Sequence, residues 1–85
     1  LVNVNYRDMC TNNVPGTPVG VFWRSFAGTQ SIVSGQSSAL LAFDCTVTVR
    51  LTGLTVPKGR TFRVEIDANT ATTPAKRRVI TIVGT

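Results

Sequence analysis

The chain of 85 residues contains no histidine, and this absence narrows the chemistry that it can perform. Histidine is the commonest general base near neutral pH and a common metal ligand, so no Ser-His or Cys-His pair can form. Carboxylates are scarce too, with only four of them: Asp8, Asp44, Glu65 and Asp67. Two cysteines and these acids are a poor ligand set for tetrahedral zinc. We therefore expect a protein that is not an enzyme and that has no catalytic residue, metal or cofactor.

Charged residues are also few, at 15% of the chain against about 25% in an ordinary globular domain. Thr, Ser, Asn and Gly replace them, a mixture typical of extracellular β-proteins and of coat- or fibre-forming subunits. No apolar run approaches the ~18 residues that a membrane helix requires, so we expect no transmembrane segment. Because the chain begins at Leu1 rather than Met, we expect a processed product or a fragment. The composition favours an extracellular location or the surface of a cell or particle.

Strict alternation of apolar and polar residues marks residues 45–52 and 61–67. A period of two is the pattern of a half-buried antiparallel strand. Shorter segments of the same kind predict further strands at residues 1–6, 19–26, 30–34 and 78–83. Residues 38–43 are apolar almost throughout, which predicts a fully buried strand that continues toward Cys45 through a bulge. No segment has the period of a helix.

Glycine and proline separate these segments. Pro15-Gly16 and the stretch from Val56 to Arg60 predict turns, and Gly35 is expected to end the third strand. Six to eight short strands between such turns predict one all-β domain over residues 1–85, a small antiparallel β-sandwich of jelly-roll-like or Ig-like type. Residues 1–9 form either its first strand or an extended N-terminal arm.

The two cysteines, Cys10 and Cys45, predict one disulfide, because an even cysteine count in a small loop-rich chain is typical of an oxidising compartment. Closing a loop of this length stabilises a small domain by roughly 3–4 kcal/mol in the chain-entropy account. Two alternatives stay open at this point, a pair of buried free thiols and a bond between two chains.

The net charge is +5 and the isoelectric point lies near 10.3, which favours anionic partners such as an acidic surface or polymer. Two clusters are candidate anion-binding residues: Lys58, Arg60 and Arg63, and Lys76, Arg77 and Arg78. The competing interpretation is solvated charge, with part of the first cluster neutralised by Glu65 or Asp67 and the second guarding an edge strand. Nucleic acid is the least favoured partner, since no aromatic residue lies near the second cluster.

Large apolar side chains lie on both faces of the predicted strand at residues 19–26. Trp23 is on one face and Phe22 and Phe26 are on the other, so one face is core and the other can meet a partner. The N-terminal alternation has no hairpin partner before it, and could pair with another chain. The candidate assembly contacts are Val2, Val4, Tyr6, Phe22, Trp23 and Phe26.

These features favour a non-enzymatic structural subunit that self-assembles through strand-edge contacts into a fibre, appendage, coat or shell. Its expected partner is a second copy of the chain. The alternative is a small basic secreted effector, such as a toxin, an antimicrobial protein or an inhibitor, that binds an anionic surface.

Overall fold

The computed structural model describes residues 1–85 and contains six β-strands and one short 3₁₀ helix. The strands are β1 (Val2–Asn5), β2 (Pro18–Ala27), β3 (Gln30–Leu40), β4 (Thr46–Val49), β5 (Thr61–Asn69) and β6 (Lys76–Val83), and the helix spans Arg7–Thr11. No helix of the fold has the length and the apolar content that crossing a membrane would require.

The strands form two antiparallel sheets. One has two strands in the order β1-β4, and the other has four strands in the order β3-β2-β5-β6. The predicted all-β sandwich of six to eight strands is therefore confirmed, with six strands. Because β3 and β6 terminate the larger sheet, each has one side with no neighbouring strand.

The core lies between the two sheets and follows the alternation of the sequence. From the larger sheet it takes alternate residues such as Val21, Trp23 and Ile66, and from the smaller sheet Val4 and Val47. Each of these side chains is at most 4% exposed. Burial of one face on each sheet is the arrangement that a period of two predicts.

The N-terminal segment belongs to the fold, as a strand and not as a free arm. In β1, Val2 lies opposite Val49 and Val4 lies opposite Val47, both in β4. No hairpin partner for β1 was visible in the sequence, because its partner strand β4 lies more than 40 residues further along the chain.

The predicted end of the third strand at Gly35 is wrong, since β3 continues through Gly35 to Leu40. Gly35 lies opposite Trp23, and a β-carbon at position 35 would come within 2.8 Å of the indole ring. The glycine therefore makes room for the tryptophan and does not form a turn.

The predicted buried strand at residues 38–43 is also wrong. Leu41 is buried, but Leu40 is 65% exposed and Phe43 is 92% exposed. Leu40 is the last residue of β3 and lies on its exposed side, whereas Phe43 lies in a turn in which the amide of Cys45 donates to the carbonyl oxygen of Ala42 at 3.0 Å. Cys45 has a φ of 67°, the left-handed conformation that follows a type I turn in a three-residue hairpin loop.

The predicted turns at Pro15-Gly16 and at residues 56–60 are confirmed. The amide of Thr17 donates to Val14 O at 3.2 Å, and that of Arg60 donates to Pro57 O at 3.0 Å. Gly16 and Gly59 occupy the third position of these turns with φ values of 89° and 78°. A type II turn requires this conformation, which glycine adopts without a steric penalty.

The disulfide prediction is confirmed, since Cys10 and Cys45 are bonded within the chain and no free cysteine remains. The bond joins the 3₁₀ helix to the turn that precedes β4. Both alternatives, free thiols and a bond between chains, are therefore wrong for this structure.

A bulge interrupts the β2–β3 ladder, and Ser25 completes the hydrogen bonding there. The register shifts between Arg24 and Phe26, so Ser25 faces an extra residue of β3. Its buried hydroxyl donates to the carbonyl oxygen of Val33 at 2.6 Å and accepts from the amide of Val33 at 3.1 Å. The hydroxyl thus replaces the backbone partner that Val33 lacks at the bulge.

Tyr6 is fully buried, although its hydroxyl is polar. The hydroxyl donates to the carbonyl oxygen of Ile66, in β5, at 2.8 Å. Burial raises the pKa of Tyr6 to about 12, because the charged phenolate would lose its water.

We predict that the single tyrosine of the chain titrates near pH 12 in the folded protein and near pH 10 in denaturant. Tyrosinate absorbance measures both values. Because folding raises this pKa, the stabilisation is complete below pH 10 and is lost as the pH rises toward 12. The free energy of unfolding should fall by about 2–3 kcal/mol over this range.

Tyr6→Phe is the control, since it removes both the absorbance step and the decline assigned to this group. A native pKa near 10 would contradict the burial of the hydroxyl.

Candidate functional site

The predicted basic cluster at residues 76–78 is divided by the strand that contains it. Neighbouring residues of a strand point to opposite faces, so Arg77 lies on the outer face of the larger sheet and Arg78 on the inner side. Arg77 contacts Asp67, and Arg78 contacts Asp8. The structure therefore does not bring the two guanidinium groups into one anion-binding patch.

Five charged side chains form a network on the outer face of the larger sheet, with β2, β5 and β6 all contributing. Register places Arg24 opposite Glu65, and Asp67 opposite Arg77. The shortest contacts are 2.9 Å from Arg77 Nε to Asp67 Oδ1 and 3.2 Å from Arg24 to Glu65. Arg63 completes the network at 3.7 Å from Glu65. The expected neutralisation of Arg63 is thus present.

The charges of this network largely neutralise one another. The hydrogen bond from Arg77 lowers the pKa of the Asp67 carboxyl, and the same bond raises the pKa of the Arg77 guanidinium. Each group is held in its charged form by its neighbour. With three arginines facing two carboxylates, this face carries little uncompensated charge and is a poor site for an anion.

Arg78 connects the larger sheet to the N-terminal segment. Its guanidinium donates to Asp8 Oδ1 at 2.7 Å and to the carbonyl oxygen of Asn5 at 3.2 Å. It also lies over the Tyr6 ring, 5.0 Å from the centroid, in a cation–π contact. The hydrogen bond from Arg78 lowers the pKa of the Asp8 carboxyl. The role of this arginine is structural.

The first predicted cluster is only partly assembled. Lys58 and Arg60 lie in the type II turn before β5, exposed and without an ion pair within 4 Å. Arg63 belongs to the outer-face network instead. Lys76 forms no ion pair either. Lys58, Arg60 and Lys76 are therefore the candidate anion-binding residues that form no ion pair, and of these Lys58 and Arg60 lie together on one exposed turn.

The aromatic residues separate as the alternation predicts. Trp23 is 2% exposed and lies in the core, whereas Phe22 is 57% exposed on the outer face. Phe26 is partly buried beneath Arg63, whose guanidinium carbon is 4.8 Å from the ring centroid. Phe22 borders a shallow hollow of about 570 Å³ together with Arg24, Gln36 and Asp67.

The proposed N-terminal assembly contacts are not free. Val4 and Tyr6 are buried in the core of their own chain, and Val2 packs against that core. Of the six candidate assembly contacts, Phe22 alone offers a largely exposed apolar side chain.

None of the candidate assembly contacts lies in β3 or β6, the two edge strands of the larger sheet. In β6, Val79 is 52% exposed and Val83 is 60% exposed. In β3, Ile32 is 42% exposed and Leu40 is 65% exposed. The available signal was the run from Val79 to Val83, which is apolar on both faces and uncharged. Such a run is expected in a strand buried on both sides, and here it lies at an edge.

The free side of β6 presents the backbone groups of alternate residues. The amide of Gly84 donates to Arg60 O at 2.9 Å, toward β5. In an antiparallel ladder the bonded residues alternate, so Ile80 and Ile82 also face β5. The backbone groups of Val79, Thr81 and Val83 consequently face the open side.

No protein-family model, curated protein or solved structure matches this chain.

We predict that Arg78→Ala lowers the free energy of unfolding by about 1–2 kcal/mol, because it removes three hydrogen bonds and the cover over Tyr6. Arg77→Ala is the matched control and should lower it by less, because an exposed ion pair contributes little. Chemical denaturation followed by Trp23 fluorescence measures both.

We also predict that the free energy of unfolding depends on pH differently in Arg78→Ala and in the wild type. Because folding lowers the pKa of Asp8, its stabilisation is complete above the pKa of the unfolded chain, about 4, and is lost as the pH falls through the lower, folded value. The acid-induced loss of stability should be smaller in Arg78→Ala than in the wild type. Equal stabilities of the two variants at pH 7 would contradict the structural role of Arg78.

Proposed function

We propose that the protein is a non-enzymatic structural subunit, extracellular or on the surface of a cell or particle, that self-associates through the edges of its four-stranded sheet. The observation that carries the proposal is that both edge strands are long and poorly guarded. Unpaired backbone groups on a sheet edge are a template for another strand.

The composition of the edges supports this proposal. β3 has eleven residues and contains neither a charged residue nor a proline. β6 has charges only in its first three residues. Natural proteins that remain monomeric usually protect such edges with lysine, proline, a bulge or a covering loop. Here the bulge lies near one end of β3, so most of that edge is unprotected.

Exposed apolar side chains along the same strands give a second reason. Leu40 and Val83 are each at least 60% exposed, and the addition of a strand from a second copy would cover part of that surface. Burial of apolar area contributes about 25 cal/mol per Å². Edge pairing would thus combine backbone hydrogen bonds with apolar contact.

The internal disulfide supports the extracellular or surface location, because disulfides persist in oxidising compartments. The low content of charged residues supports the same location. The intramolecular bond leaves no thiol to link subunits. Association would therefore be non-covalent. It would proceed by edge pairing and not by donation of the N-terminal strand, because that strand already pairs with β4 of its own chain.

We predict a particle heavier than the 9.1 kDa monomer, with a mass that rises with concentration and does not depend on an intermolecular disulfide. Light scattering across a concentration series measures it. Gln36→Lys with Thr81→Lys places a charge on each edge and should return the mass to that of the monomer. Thr52→Lys with Thr55→Lys, on exposed positions outside the strands, adds the same charge and should leave the mass unchanged. A wild type of monomer mass at every concentration would overturn the proposal.

The alternative, a basic secreted effector, is favoured by one observation. Five of the nine cations form no ion pair, and Lys58 and Arg60 are two residues apart on one exposed turn. Unpaired charges at a common site attract an anionic surface or polymer.

For this alternative we predict that Lys58→Ala with Arg60→Ala weakens binding to polyphosphate or to anionic vesicles by about tenfold at low salt, from the loss of two surface charges. Arg24→Ala with Arg77→Ala also removes two charges and should have a smaller effect, because both belong to the balanced outer-face network. Binding titrations measure the difference. Equal losses in both variants would indicate attraction by net charge alone.

A further inference from the structure

The second half of β6 reads the same in both directions. The sequence from position 79 to position 83 is Val-Ile-Thr-Ile-Val, with Thr81 at its centre. A strand of this kind is self-complementary in an antiparallel pair, because each residue meets its own kind across a two-fold axis at the centre. The palindrome lies in the uncharged part of an open edge strand.

We propose that two copies of the chain pair β6 against β6 in antiparallel orientation about a two-fold axis through Thr81, joining their sheets into one sheet of eight strands. The inference rests on the proposed self-association and names the edge, the partner and the register. Val79 of each copy then lies opposite Val83 of the other, and Thr81 lies opposite its own copy.

The backbone of β6 has the phase that this register needs. Val79, Thr81 and Val83 are the residues whose backbone groups face the open side, as the Gly84–Arg60 hydrogen bond indicates. The centre of the palindrome therefore coincides with a residue whose amide and carbonyl are free to bond. The two Val79–Val83 pairs and the Thr81–Thr81 pair would each exchange two backbone hydrogen bonds, which gives about six bonds between the copies. The phase excludes registers such as Val79 opposite Ile82, which would set a residue facing the open side against one that faces β5. Among the registers that keep the phase, the axis through Thr81 places each residue of the palindrome opposite its own kind.

The side chains fit the same arrangement. Val79 and Val83 are each more than half exposed on the outer face, and pairing would bring them together as β-branched cross-strand pairs. On the inner side, Ile80 of one copy would lie opposite Ile82 of the other, and both are half-buried in the monomer. The β6–β6 contact would thus extend the apolar contact on both faces of the sheet.

The antiparallel orientation keeps the charges of β6 apart. About the Thr81 axis, Arg77 of one copy lies opposite Thr85 of the other, so the two copies of Arg77 are separated by about eight residues of strand, or ~27 Å. That distance exceeds the screening length of about 8 Å at physiological salt. Parallel pairing of the same edge would require rotation of one copy about the strand axis, which would join the outer face of one sheet to the inner face of the other. Arg78 also binds the carbonyl oxygen of Arg77 at 3.0 Å, which blocks this backbone acceptor beyond the palindrome.

The test is a charge exchange at positions 79 and 83, which the register makes direct neighbours across the axis. Val79→Lys with Val83→Lys creates two Lys–Lys pairs in the dimer, and Val79→Lys with Val83→Glu creates two Lys–Glu pairs. Both variants place the same lysine opposite Glu65 of their own chain, so the intrachain pair at position 79 is the same in both. Both positions are exposed, and circular dichroism with thermal melting verifies the fold. Sedimentation velocity over a concentration series gives the dimer dissociation constant.

We expect the Lys–Lys variant to bind its own copy at least tenfold more weakly than the Lys–Glu variant, and the Lys–Glu variant to dimerise within a few-fold of the wild type. Gln36→Lys, on the opposite edge, should leave this β6 contact unchanged.

The outcomes separate the two proposals. A wild type that associates, with both double variants associating equally well or equally poorly, overturns the β6 register and leaves self-association through another edge intact. A wild type that is monomeric at all concentrations overturns both.

Discussion

The two layers of this domain are held together by a joint of five residues, 6–10. Only 16 of 85 residues are buried, so the core is thin and the joint matters. Along it, Tyr6 bonds the carbonyl of Ile66, Asp8 binds Arg78, Met9 is fully buried and Cys10 is bonded to Cys45. A hydrogen bond, an ion pair, an apolar contact and a covalent bond thus act within five consecutive residues. The smaller sheet depends on them, because two strands alone are marginal in water.

The joint also determines which surfaces remain open. With two strands lying over four, the smaller sheet covers one face of the larger sheet and adds no strand to its edges. The outer face of the larger sheet balances most of its charge through the Arg24–Glu65 and Arg77–Asp67 pairs. What remains unsatisfied is the backbone of β3 and β6. A chain of this size that does not close into a barrel retains such edges, so its contacts with other chains are determined mainly by them.

The sequence was sufficient to predict a strand, a turn or a buried side chain wherever a single local pattern determined it. Period-two alternation predicted β5 and the burial of Val47, and proline–glycine pairs predicted the turn at Gly16. It failed at Gly35, where contact with a distant Trp23 determines the residue, and at Phe43, where a turn exposes an apolar side chain. The separation of Arg77 from Arg78 follows from strand geometry, but only once β6 is known to begin before them. The partner of β1 required the topology itself, since no local signal identifies a strand 40 residues away.

The positions of the two largest fully buried side chains give the protein an internal spectroscopic probe for each layer. The chain has one tryptophan and one tyrosine. Trp23 lies against Gly35 of the edge strand β3, so its emission responds to the detachment of that strand from the larger sheet. Tyr6 lies at the joint, so its ionisation responds to the separation of the layers. Loss of an edge and loss of the sandwich are thus optically distinct events in the unlabelled chain.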